Sequence, residues 1–340
     1  MRKYIIQRIL YIFVVFIILS FLMYVIYNMI PFDRARWLAD LQKQAYKNNP
    51  EGFELLYQSY RHELGLDQNI FARYLIRLGL YPIDGKFNGI LQGNFGVSYT
   101  NVQKPVLDVM QGPMVTTVVM NIFATILALG ITIPLGIFCA VKKGTKRDTA
   151  VQIGSIIGYS MPSFITAILF IYLFAVLLPI FPVSGMGTSG AEYTGFRLLI
   201  DRAYYLILPL IVMTFCSLGG MTRYVRAAMI EALSLDCIRT ARAKGLKEKV
   251  VIYSHAWRNA LIPIVTLVVG WFLGIFSGSV MIENIFGISG MGKLYISALQ
   301  SNDYDVVLTL QMFYVFIGLI GNLIIDILYG IIDPRIRVSG

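Results

Sequence analysis

The stretch Val306–Tyr329, VVLTLQMFYVFIGLIGNLIIDILY, decides the fold class. It exceeds the ~20 apolar residues that carry a helix across a bilayer, and its one charge is Asp326. Outward from it, segments of the same kind recur at Ile9–Ile30, Val115–Val141, Val151–Leu178, Ala203–Met221 and Asn259–Met281, and none of these contains Asp, Glu, Lys or Arg. Composition agrees: 57% of the residues are hydrophobic and 14% are charged, where a soluble domain carries about 25% charged. The excess apolar surface must face lipid. We read an all-α polytopic membrane protein with six transmembrane helices. The first segment follows Arg2, Lys3 and Arg8 as a signal peptide would, but it is too long for one and no small-x-small cleavage site follows it. It reads as a retained helix.

A formal charge of +10 would suggest nucleic acid in a soluble chain. Here the cations lie between spans, on alternate sides. Arg2, Lys3 and Arg8 precede the first span; Lys142, Lys143, Lys146 and Arg147 follow the second; Arg223, Arg226, Arg239, Arg242, Lys244, Lys247, Lys249 and Arg258 follow the fourth; Arg335 and Arg337 end the chain. The opposite short connections carry only Arg197, Arg202 and Lys293. Lys and Arg mark cytoplasmic loops, so both termini are expected in the cytoplasm and the long first connection, Pro31–Met114, outside. None of Cys139, Cys216 and Cys237 then lies in an external loop, and no structural disulfide is expected there.

The chain therefore divides into 1–30, with the first span; 31–114, an external loop; and 115–340, the core, with a basic inner loop at 222–258. Helical patterns run over Arg34–Lys47, Glu51–Arg61 and Gln68–Leu78 in the external loop, the last capped by Asp67 and ended by Gly79 and Pro82. Such a loop caps the outer mouth, docks a partner or is a folded cover. In the inner loop, two short helical patterns flank Gly245, whose freedom at positive φ permits a sharp corner. Arg239, Arg242 and Lys249 would project into the cytosol, and Asp236 and Arg239, at i and i+3, share a face. In the fifth span Gly270, Gly274 and Gly278 form a doubled G-x-x-x-G. This lets helix backbones approach closely, against a second subunit, along a pathway, or within the bundle.

Other motifs fail on their chemistry. Gly287-Ile-Ser-Gly-Met-Gly292-Lys293-Leu294 nearly spells a phosphate-binding loop, but Leu294 stands where Ser or Thr must hold Mg²⁺. Gly287-Ile-Ser289-Gly290 matches the G-x-S-G of intramembrane serine proteases, yet the two histidines, His62 and His255, lie outside the spans and cannot activate that serine. His62-Glu63 lacks the second His of a zinc peptidase. Asp326 alone is weak ground for a proton relay. A secondary carrier would show paired intramembrane charges, broken helices or an internal repeat; the sequence shows one intramembrane acid and no clear repeat.

The inner-loop string Asp236-Cys-Ile-Arg239-Thr240-Ala241-Arg242-Ala-Lys244-Gly245-Leu246, followed by His255-Ala-Trp-Arg258-Asn259-Ala-Leu-Ile-Pro263, resembles the EAA loop of ATP-binding-cassette importer permeases. In particular it resembles the first permease subunit of the oligopeptide/dipeptide (and nickel) branch. Leu64–Asp67, Arg73–Leu75, Gly93–Ser98, Pro105-Val106, Pro162–Phe164, Phe181–Gly185, Glu283–Gly292 and Asp333–Arg335 are similar to landmarks of that branch. Arg239 and Thr240 replace Glu and Ala of the general motif, and Pro31-Phe-Asp33-Arg34 replaces Pro-Gly-Asp-Pro. The resemblance implies a type I importer permease in the bacterial inner membrane. It also implies a second similar permease, two cytoplasmic ATPases that bind the ATP and Mg, and an external peptide-binding protein. Asp236–Leu246 would seat on an ATPase, and the chain itself would hold no cofactor or metal. Peptide is the implied cargo; nickel or another small solute is the alternative.

Overall fold

The computed structural model describes residues 2–101 and 104–332. In chain order the helices are α1 (Arg2–Asn28), α2 (Arg34–Leu41), α3 (Pro50–Glu63), α4 (Ile70–Leu78), α5 (Val106–Val141), α6 (Lys146–Ser160), α7 (Ser163–Ile171), α8 (Gly195–Ser234), α9 (Asp236–Ala243), α10 (Glu248–Val250), α11 (Trp257–Leu273), α12 (Val280–Ile285), α13 (Met291–Gln300) and α14 (Tyr304–Ile332). Only isolated β-bridges, Ile83 with Lys86 and Val97 with Pro105, interrupt this all-helical picture among the described residues. The Asp333–Arg335 landmark and the tail cations Arg335 and Arg337 lie outside the described residues.

Helices α1, α5, α8 and α14 are long and apolar enough to cross a membrane, and two bent pairs bring the spans to as many as six. The expected continuous span Val151–Leu178 is broken. Its halves, α6 and α7, meet at 102°, because Met161 before Pro162 is extended (φ −78°, ψ 129°), as a residue preceding proline prefers. The fifth span bends by 60° near Pro263 and ends at Phe276, so Met281 falls instead in α12. Helix α5 starts at Val106, earlier than the expected Val115. Helix α8 runs to Ser234, so residues 222–234 of the expected inner loop continue a span.

The packing groups the chain into two compact units that cut across the expected boundaries. One comprises Arg2–Gln111 with Tyr295–Phe316; the other comprises Gly112–Leu294 with the chain from Ile317.

In the first unit, α1 turns Tyr24 onto a buried cluster with Tyr74, Leu78, Leu308 and Met312. The Ser20 hydroxyl, which lipid could not satisfy, shares a 2.6 Å hydrogen bond with Tyr74. Other α1 side chains, among them Ile9, Leu10, Phe13 and Ile18, are exposed and apolar, as a lipid-facing surface requires. Helix α2 ends at Leu41, not Lys47, since the following residues turn toward Asn49, whose side chain accepts the Gly52 N–H and starts α3. The cap of α4 is Asn69, which accepts the Ala72 N–H at 2.9 Å; the expected cap, Asp67, lies 3.5 Å from His62 instead. Gly79 closes α4 at φ +82° as expected.

A buried ion cluster centres on Asp305. It pairs with Arg34 at 3.0 Å and Arg77 at 3.1 Å and accepts the Tyr99 hydroxyl at 3.0 Å. Asp303 beside it accepts the Ser98 hydroxyl at 2.5 Å and the Tyr99 and Thr100 N–H groups at 3.0 and 3.2 Å. Gly96, at φ +86°, brings the backbone so close that a Cβ would lie 2.6 Å from the Asp305 carboxylate.

The second unit holds two apolar cores. One joins Met221, Val225 and Met229 of α8 to Ile238 and Ala241 of α9 and to Val251, Ile252, Ala256, Ala260 and Ile264. The other packs Met120, Ala167, Leu208 and Val212 against Ile282, Phe286 and Ile288. Asp148 at the start of α6 takes a bidentate guanidinium from Arg226, 2.8 Å at each contact, which fixes α6 on α8.

Candidate functional site

One extended residue, Leu235 (ψ 146°), separates α8 from α9. Apolar side chains set the pose of α9: Ile238 is fully buried and Ala241 nearly so, an i, i+3 pair on one stripe. Their partners are the end of α8 and the start of the fifth span. The opposite face is solvated. Asp236 and Arg239 form the expected i, i+3 pair at 3.3 Å, with side chains 94% and 76% exposed. So open a pair contributes little to stability, which leaves both charges available to a partner.

The corner follows α9. Lys244 caps the helix, and Gly245 adopts φ +75° with its N–H on the Arg242 carbonyl at 2.9 Å. A Cβ at Gly245 would meet nothing within 4 Å, so the glycine answers to backbone conformation and not to crowding. Arg242 crosses the corner and clasps Glu248 through two hydrogen bonds, 2.6 and 3.2 Å. Thr240 turns its hydroxyl back to the Asp236 carbonyl at 3.0 Å. Leu246 is 40% exposed, with Leu235, Val250 and Tyr253 also open to solvent. The expected second short helix is not separate: α10 passes through a π-helical turn, Val251–Ala256, into α11. Residues 236–246 thus combine a rigid base with an exposed, mixed charged and apolar outer face.

The stripe expected of Gly270, Gly274 and Gly278 does not run along one helix. Helix α11 stops at Leu273 and a single 3₁₀ turn ends at Phe276, leaving Gly278 in the link to α12. There a Cβ would lie 2.3 Å from the Gly292 nitrogen, so Gly278 serves a backbone crossing. Gly270 and Gly274 have open space where a Cβ would stand. Both line a cavity of about 370 Å³ together with Asn121, Thr125, Ser163 and Ser217. Hydroxyls, an amide and apolar groups line it, with no carboxylate, ammonium or guanidinium among them. The Asn121 amide donates to the carbonyls of Ile275 and Ser277 at 2.7 and 3.0 Å. It thereby satisfies the broken end of the span, as irregular backbone at membrane depth requires.

Sequence reading missed this amide, because its partners lie far along the chain. It also missed Glu283. That side chain, on α12, is fully buried and reaches the first turn of α13. It accepts the Thr117 hydroxyl at 2.9 Å and the Lys293 N–H at 3.0 Å. The loop that nearly spells a phosphate-binding motif therefore directs an amide at the chain's own carboxylate, and a glycine at 290 is needed because a Cβ would come within 2.5 Å of it. The signals in sequence were the glycine spacing and the Glu283–Gly292 landmark, neither of which reveals a buried acid.

Two family models match the chain. One, described as "Binding-protein-dependent transport system inner membrane component", covers residues 132–338; the other, its N-terminal counterpart, covers 1–121. The oligopeptide transport system permease protein AppB of Bacillus subtilis is 34% identical over 99% of this chain and 100% of its own length. The dipeptide transport system permease protein DppB of Escherichia coli is 36% identical over 81% of this chain and 83% of its own. DppB of Lactococcus lactis is 33% identical, over 86% and 88%. Among solved structures, the inward-facing MetNI methionine ABC transporter matches with TM-score 0.50 at 17% identity, over 66% of this chain and 97% of the other. That likeness is one of fold.

Proposed function

The chain belongs to the family of binding-protein-dependent transport system inner membrane components, and from that membership we propose that it is a permease subunit of an ATP-driven peptide importer. It is a multi-pass inner-membrane protein. It forms half of the solute pathway; a second, similar permease supplies the other half. Two cytoplasmic ATPases hold ATP and Mg, and an external binding protein delivers the peptide. The placement of Lys and Arg supports cytoplasmic termini. Peptide as cargo rests on the names of AppB and DppB.

One observation carries the mechanism: α9 is exposed on its outer face and seated by Ile238 and Ala241 on residues of both α8 and the fifth span. A helix held this way moves as a rigid body with both. When the ATPases close on nucleotide, a push on Asp236, Arg239 and the Gly245 corner passes into the spans. The spans line the cavity at Gly270 and Gly274, and their motion switches its access from one side of the membrane to the other. The neutral lining suits a cargo whose common feature is the amide backbone and whose charge varies.

The test uses the complete transporter in a strain lacking other peptide uptake. Wild-type chain should restore growth on peptide and co-purify with the ATPases. Reconstituted alone, it should neither hydrolyse ATP nor take up peptide. ATP hydrolysis by the rigorously purified chain would overturn the proposal.

A further inference from the structure

The structure assigns a second site to this chain: a phosphate-binding cavity, built by Arg61 and Arg73, that we propose holds the headgroup of an anionic membrane phospholipid. It lies within the first unit, has a volume of about 440 Å³, and is lined by Tyr27, Asn28, Arg34, Arg61, Arg73 and Tyr304 among others.

Its position relative to the bilayer follows from the chain. Asn28 is the last residue of one candidate span and Tyr304 the first of another. Both line the cavity, so it opens where two apolar helices end, at the level of lipid headgroups. Tyr27 and Tyr304, with ring centroids 5.9 Å apart, supply the aromatic groups that settle at that depth.

Its charge is unbalanced. Arg34 is held by Asp305 at 3.0 Å, an acid it shares with Arg77. Arg61 and Arg73 have no carboxylate within ion-pair distance among the described residues. The one acid of the lining, Asp33, accepts the Arg36 N–H at 3.1 Å and the Tyr57 hydroxyl at 2.6 Å; it feels the charge of Arg61 only from beyond ion-pair distance, which leaves two guanidinium groups facing one carboxylate. Arg73 gives one nitrogen to the Asn28 side chain at 2.7 Å, while its buried Nε has no hydrogen-bond partner among the described residues. Arg61 rests over the Tyr57 ring and makes one long contact, 3.4 Å, to its hydroxyl. A half-buried guanidinium with donors unused is built for an oxyanion, and its planar fork matches phosphate. An acyl chain extending from such a phosphate has the exposed apolar side of α1 to lie against.

The experiment uses the full chain purified in detergent and analysed by native mass spectrometry with added phosphatidylglycerol, phosphatidylcholine or inorganic phosphate. Wild type should retain phosphatidylglycerol over phosphatidylcholine. Arg61→Gln with Arg73→Gln should lower that retention roughly tenfold. Lys43→Gln with Lys47→Gln, which removes equal charge outside the cavity, should leave it unchanged. Equal retention by wild type and the arginine double variant overturns the site. Retention of inorganic phosphate without lipid overturns the membrane source. Should the double variant fail to fold, hydrogen exchange of wild type decides. Short-chain phosphatidylglycerol should protect residues 28–34 and 61–73 where inorganic phosphate does not. Protection by an acidic peptide instead would assign the cavity to a protein partner and overturn the proposal.

Discussion

Thr117 and Glu283 are joined through a hydroxyl that works in both directions. It donates to the Glu283 carboxylate at 2.9 Å and accepts the Met291 N–H at 2.8 Å. One side chain of α5 thus ties a buried acid to the first residue of α13. The arrangement is also a titrating one. Burial pushes the Glu283 carboxyl above its ordinary value of 4.5, against the Lys293 and Gly292 N–H groups and the Thr117 hydroxyl, which pull it down.

Thr117→Val should therefore cost about 1–3 kcal/mol, because it strips a donor from a buried carboxylate and an acceptor from an N–H. The pH dependence has a definite sign. The folded state holds the proton to higher pH than the unfolded state, so this group's contribution is greatest below 4.5. It declines as pH rises through the raised folded value and is flat above. Thermal unfolding of the purified protein across that range should show the decline in wild type and lack it in Glu283→Gln.

Gly245→Val places a β-branched residue at φ +75°, a strain of about 1–3 kcal/mol. Since a Cβ there meets nothing within this chain, the cost inside the chain is one of backbone conformation. Peptide uptake should fall while membrane insertion persists, and Gly245→Asn, which tolerates the left-handed region, should retain most activity. Equal failure of both would locate the defect in the side chain and not in the corner.

Arg239→Glu tests docking apart from folding. The exposed pair with Asp236 contributes at most about 1 kcal/mol, so thermal stability should hardly change. Co-purification of the ATPases should drop several-fold. A variant that binds the ATPases as wild type does would remove Arg239 from the contact.

Asp305→Asn should be the most damaging single change in the first unit. It leaves Arg34 and Arg77 buried without their shared acid, and breaking such a pair costs about 3–5 kcal/mol. Limited proteolysis between residues 29 and 105 should report it, since Tyr99 loses its carboxylate partner at the same time. An unchanged digestion pattern would show that Arg34 and Arg77 are satisfied by other groups.

How much of this was legible depends on range. The apolar spans, the Gly79 cap and the i, i+3 pair on α9 are local, and each followed from a few consecutive residues. The family resemblance is carried by strings, and relatives such as AppB match over nearly the whole chain. The 102° break was marked by Pro162, yet the apolar run on either side reads as one span until the backbone of Met161 is seen. Asn69 and Asp67 are both capable caps, and only the approach of His62 separates them. Sequence reading assigned no role to Glu283, Asp303 or Asp305. Their partners stand 166, 205 and more than 200 positions away, and no periodicity connects such positions.

The seat of α9 bears on how force crosses the molecule. Its covalent ends are an extended residue at Leu235 and a left-handed glycine at Gly245, neither of them a stiff link. Under the proposed coupling role, a load on α9 would pass through Ile238 and Ala241, which are packed against α8 and the fifth span. A thrust from below is carried as a wedge carries it. A pull in the opposite direction is resisted by the apolar seat and, across the corner, by the Arg242–Glu248 clasp. The two strokes of a transport cycle would then meet unequal stiffness in this one helix.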